Sequence, residues 1–111
     1  MNSAIKTLLM VENVHQSEFF EKILNNNFIL DKTNDFYKAL ELLDVEHFDI
    51  LLLNLDLKDQ ENINFLKKLR AQHPDVPLLI IVNYYDEETP LKAFEFGAHD
   101  YLIRVNSLLK H

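Results

Sequence analysis

Three continuous aliphatic runs limit what this chain can become: "TLLMV" (7–11), "DILLLN" (49–54) and "PLLIIV" (77–82). A strand with one face in water alternates apolar and polar residues. A short run without that alternation marks a strand covered on both faces, the usual condition of parallel strands in an α/β sheet. "NFIL" (27–30) and "DYLIR" (100–104) are shorter and more polar, as strands nearer a sheet edge would be.

Between the runs the apolar period becomes helical. Phe19, Phe20, Ile23 and Leu24 share a face, and Phe36, Ala39, Leu40 and Leu43 fall at i, i+3, i+4 and i+7. Phe65, Leu66 and Leu69 form a third stripe before "HPDVP" stops the helix. Thr89 and Pro90 predict an N-cap and a first-turn proline, followed by Leu91, Phe94 and Ala98, with Gly97 as the C-cap. A fifth helix is expected from about Asn106 or Ser107, short or truncated, because the sequence stops at His111. Five βα units predict a three-layer, doubly wound α/β fold, with a parallel five-stranded sheet between two helical layers. The 111 residues suit one domain, 1–111.

In such a sheet the functional crevice lies beyond the carboxyl ends of the strands. Those ends are Glu12 and Asn13, then Asn54, Asn83 and Arg104. Asn54 stands out: why should the central run end on an amide, which is neither an acid nor a good nucleophile?

Composition removes several functions. A formal charge of −7 argues against a nucleic-acid groove, and Lys67, Lys68 and Arg70 read as a solvated helix face. With no cysteine there is no disulfide, thiol nucleophile or thiolate metal site, which fits a cytoplasmic setting. The opening "MNSAIKTLLMVEN" is not a secretory signal, and no segment approaches the ~20 apolar residues of a membrane span. Ser3, Ser17 and Ser107 lie away from the strand ends, and no Gly-rich loop exists to cradle a nucleotide. His15 reads as a surface loop residue, and the other histidines lack ligand spacing. The expectation is a non-enzyme without a cofactor.

The stretches "LLMVEN" (8–13), "FDILLLNLDL" (48–57), "DVPLLIIVNYYDEET" (75–89) and "FGAHDYLIR" (96–104) together resemble the receiver domain of two-component response regulators, from end to end. The resemblance implies the flavodoxin-like strand order 2-1-3-4-5. It also implies a chemistry: acidic residues after strand one hold a divalent metal, and an Asp ending strand three accepts a phosphoryl group. A Thr or Ser after strand four and a Lys after strand five contact that group.

This chain departs from that set at nearly every position. Glu12–Asn13 replaces the acidic pair, Asn54 the acceptor, Val82 the hydroxyl residue and Arg104 the lysine, and Val105 follows in place of a proline. In the turn "LDLKDQEN", Lys58 stands for the expected Pro and Asn62 for the expected Gly, an Asn able to adopt a left-handed conformation. Asp56 is the alternative acceptor, because a slip of two keeps the same face of the strand. Leu57 and Asn62 fit the register that ends at Asn54.

The resemblance therefore predicts a pseudo-receiver, acting without phosphorylation as a protein-interaction module in signal transduction or transcriptional regulation. Arg104 either pairs internally with Glu12 or Asp56, or belongs to a pocket whose residues are merely satisfied. Tyr101 matches the family's switch aromatic, although its usual hydroxyl partner is replaced by Val82. The expected interaction face is the fourth helix, fifth strand and fifth helix, with Phe94, Phe96 and Tyr101 as its aromatics. It would serve a protein partner or a homodimer, and the chain is expected to be either a stand-alone remnant or a piece of a longer regulator with an output domain. The alternative is a residual phosphoacceptor using Asp56, with Glu12 and Asp56 as weak ligands for Mg²⁺.

Overall fold

The computed structural model describes residues 4–12, 18, 21–22, 24, 27–83 and 89–104; the side chains of 82–83, 89–90, 93 and 100–104 lie outside that description. The elements run β1 (Ile5–Val11), β2 (Phe28–Thr33), α1 (Phe36–Val45), β3 (Ile50–Asn54), α2 (Gln60–Gln72), β4 (Leu78–Asn83), α3 (Thr89–Glu95) and β5 (Asp100–Arg104). All pairings are parallel, in the order β2-β1-β3-β4-β5. The helices expected around residues 19–24 and beyond Asn106 fall largely or wholly outside the described residues.

The unbroken aliphatic runs are explained by two apolar clusters, one on each face of the sheet. Successive side chains of a strand point to opposite faces. Leu8, Met10, Leu51, Leu53, Leu78 and Ile80 enter the larger cluster, while Leu9, Val11, Leu52 and Ile81 enter the smaller. On the larger face, α1 contributes Ala39, Leu40 and Leu43, and α2 contributes Phe65, Leu66 and Leu69. Phe36 and Phe65 stack between these helices, with centroids 4.3 Å apart. On the other face Leu24, Leu30, Ile50 and Leu79 pack partly buried around the smaller cluster. Each fully buried Leu or Ile contributes about 1.5–3 kcal/mol relative to exposure.

Two expectations shift. β2 extends past "NFIL" to Thr33, because Asp31, Lys32 and Thr33 pair with Leu8, Leu9 and Met10. As an edge strand, it leaves these polar side chains partly in water. In and after α3, Ala98 is buried, but Leu91 is 73% and Phe94 53% exposed. Their spacing gives a shared face, and that face points outward. Gly97 does end this segment, with φ of 78° and its N–H donating to Phe94 O at 3.1 Å.

Candidate functional site

The crevice is built where β1 and β3 end level. Val11 pairs with Asn54, the last residue of β3, so Glu12 leaves the sheet beside the loop that follows Asn54. Asn54 is half-buried, and its Nδ2 is a buried donor without a hydrogen-bond partner among the described residues. Its lone pair is delocalised into the carbonyl, so the position supplies a donor and an acceptor but no nucleophile.

Asp56 lies two residues past the strand and is exposed. Its backbone N–H donates to Glu12 Oε1 at 2.8 Å. Its carboxylate turns back into its own loop, where Oδ1 accepts the Lys58 N–H at 2.9 Å. That is an Asx turn, with Lys58 supplying an N–H that a proline would lack. The backbone of Asp56 meets Glu12, while its side chain braces the turn. Leu55 and Leu57, on either side, are buried in the larger cluster and anchor the loop.

Asn62 completes the cluster in a way the sequence did not suggest. Asp59 caps α2, its Oδ1 accepting the Glu61 N–H at 2.9 Å, and this puts Asn62 in the first helical turn. Among the described residues only Gly97 has a positive φ, so Asn62 does not take the left-handed conformation expected at that position. The helix begins at Gln60, and the Asn62 amide, in a residue only 5% exposed, finds partners inward. Nδ2 donates to Glu12 Oε1 at 2.8 Å and to Asp56 O at 2.9 Å. The available signal was the Asp59-x-x-Asn62 spacing, a cap followed by a polar group at the third helical position.

Of the remaining expected residues, the backbone brings Val82 and Arg104 to the same sheet end. Val82 pairs with Ile103, and Asn83 with Arg104, at the carboxyl ends of β4 and β5. Tyr101 pairs with Ile80. The side chains of Val82, Tyr101 and Arg104 lie outside the described residues, as do Asn13 and His15. The pairing considered for Arg104 lies outside them too. Phe96, expected on the interaction face with Phe94, is half-buried and packs against the larger cluster.

A divalent ion needs several oxygen ligands converging on one point. Here Glu12 Oε1 already accepts two N–H groups, and the Asn62 amide turns a donor, not an oxygen, toward Glu12 and the Asp56 carbonyl. Among the described residues, no three His, Asp or Glu side chains come together. These residues do not fit the metal that the family's chemistry implies.

The basic group on α2 also departs from expectation. Arg70, read as part of a solvated face, spreads its guanidinium over three carbonyls at the opposite end of the sheet. Nη1 donates to His73 O at 3.0 Å and Val76 O at 2.8 Å, and Nη2 to Gly97 O at 2.7 Å. Partial burial lowers its pKa from the usual arginine value.

Among the described residues, no helix is long and apolar enough to cross a membrane. Comparison with known proteins gives the arrangement a family. The response regulator receiver domain matches residues 8–107. The transcriptional regulatory protein ZraR of Escherichia coli (strain K12) is 36% identical over 67 residues, covering 60% of this chain and 15% of ZraR. KdpE of Staphylococcus aureus, also a transcriptional regulatory protein, is 31% identical over 62 residues, 56% of this chain and 26% of KdpE. The chain thus spans only a minor part of these relatives. In fold it is similar to the N-terminal signal receiver domain of a two-component response regulator from Bacteroides fragilis, with a TM-score of 0.79 at 18% identity over 92% of this chain and 85% of that one. The chain belongs to the response regulator receiver domain family, a signalling module of two-component systems.

Proposed function

We propose that this receiver domain acts without phosphorylation, as a protein-interaction module in transcriptional regulation. The carrying observation is that β3 ends on Asn54, a side chain unable to form a stable phosphoryl ester. Glu12, Asn13, Val82 and Arg104 complete the proposed degenerate pocket, with Tyr101 at the switch position. A cytoplasmic setting and an output domain outside these residues belong to this reading, and the similarity to ZraR and KdpE, both named transcriptional regulatory proteins, supports it.

The proposed surface is the outward face of α3 together with β5, including Tyr101, and the segment that follows it. Leu91 and Phe94 support this reading, because two large apolar side chains are held in water on one short helix. The occupant is a second copy of the chain or a protein partner.

The competing reading, a residual phosphoacceptor at Asp56 with Glu12 binding Mg²⁺, draws on the exposure of Asp56 and its backbone contact with Glu12. Against it stands the turn that holds the Asp56 carboxylate on the Lys58 N–H.

Intact-mass measurement of the wild-type chain with acetyl phosphate and MgCl₂ separates the two. No phosphoryl adduct is expected, and the light-scattering mass should be the same with and without the donor. A phosphoaspartate recovered at Asp56 would overturn the proposal. Leu91→Glu, at an exposed position, is expected to lower any concentration-dependent self-association.

A further inference from the structure

Two oxygens from distant parts of the chain, Glu12 Oε1 and the Asp56 carbonyl, converge on one atom, Asn62 Nδ2, at 2.8 and 2.9 Å. A carboxylate and a carbonyl facing one centre is how hard cations are usually held. Here the centre is a carboxamide nitrogen with two hydrogens, one for each oxygen. Asn62 is buried and sits in the first turn of α2, which Asp59 caps and Phe65, Leu66 and Leu69 pin to the sheet. The amide is therefore presented by a rigid element.

We propose that the Asn62 carboxamide takes the place of a divalent cation, closing the loop after β3 onto the end of β1, so that this crevice is held shut without metal. Asn62 is a positioning residue in this scheme: it acts through Glu12 and Asp56. The Asp56 N–H adds a second bond to the same Glu12 oxygen, so carboxylate, loop backbone and helix form one ring of hydrogen bonds. The inference concerns how the loop is held. It does not depend on which residue, if any, accepts a phosphoryl group, and thermal melts read it separately from the mass measurement.

The decisive variant is Asn62→Asp, which exchanges the donor for a third oxygen ligand beside Glu12 and the Asp56 carbonyl. Melting of the full chain is followed in EDTA and in millimolar MgCl₂. The wild type is expected to melt at the same temperature in both. Asn62→Asp should melt roughly 5 °C or more below it in EDTA and recover most of that loss in Mg²⁺. A merely structural role for Asn62 would lower the melting temperature without creating a response to the ion. Asn62→Ala, with no ligand to offer, provides a second readout: hydrogen exchange at the Asp56 amide should accelerate about tenfold or more. A wild-type melt that rises by several degrees with Mg²⁺ overturns the proposal. So does an Asp56 amide whose exchange is unchanged in Asn62→Ala.

Discussion

Glu12 Oε1 accepts the backbone N–H of Asp56 at 2.8 Å, joining the end of β1 to the loop after β3 across 44 residues of sequence. The same oxygen accepts from Asn62. The loop bordering the crevice is held by a carboxylate oxygen that accepts two hydrogen bonds.

Removing that acceptor should cost more than removing its charge. Glu12→Ala leaves the Asp56 N–H without its acceptor and the buried Asn62 amide with one of its two. A loss of about 1–3 kcal/mol is expected. Glu12→Gln keeps a carbonyl oxygen at the same reach and should lose less than half as much. Urea denaturation midpoints at unchanged slope provide the comparison.

Asn54 should be a stability liability. Its Nδ2 is buried with no acceptor among the described residues, and an unsatisfied buried donor costs roughly 1–3 kcal/mol. Asn54→Leu, apolar and branched at the same Cγ, is expected to raise stability by about 1 kcal/mol in the same assay. A loss of that size instead would show that the amide has an acceptor in solution. A stabilising substitution at the end of the central strand would suit a position kept for function and not for packing.

The far end of the sheet depends on Arg70 and Gly97. Arg70→Ala removes three hydrogen bonds to carbonyls and should destabilise by about 1–3 kcal/mol. Gly97→Ala meets two costs. Its φ of 78° disfavours any side chain, and the new Cβ would lie 3.3 Å from Arg70 Nε. About 1–2 kcal/mol is expected. In a double-mutant cycle, the contact part of the Gly97→Ala penalty should vanish in the Arg70→Ala background, while the backbone part remains.

Acid should act through Asp49. The Lys6 N–H, donating to Asp49 Oδ2 at 2.8 Å, holds this carboxyl below its ordinary value of 3.8, and His47 adds to the effect. A carboxyl lowered in the folded state stabilises fully above its unfolded value. That contribution disappears as pH falls through the lower, folded value. Asp49→Asn does not titrate and should show a flatter loss of stability below about pH 4 than the wild type. The two acid denaturation curves, overlaid, check it.

Much of the architecture was legible in the sequence by itself. "TLLMV", "DILLLN" and "PLLIIV" lie within or largely overlap β1, β3 and β4 because covering both faces of a parallel strand leaves no polar position to alternate. The stripes in α1 and α2 bury the residues their spacing implies, since 3.6 residues per turn puts those side chains on one face. The end of β3 at Asn54 also followed from where the aliphatic run stops. Tertiary structure alone decided which way a stripe points and what meets across the sheet. Leu91 and Phe94 share a face that points to water, while Phe96 turns inward. Asn62 became a bridge between Glu12 and Asp56, and Arg70 a clasp for Gly97, 27 residues away. Local periodicity records the geometry of one element. Contacts such as these depend on which strands are neighbours and where they end relative to one another, and that is set when the whole sheet assembles.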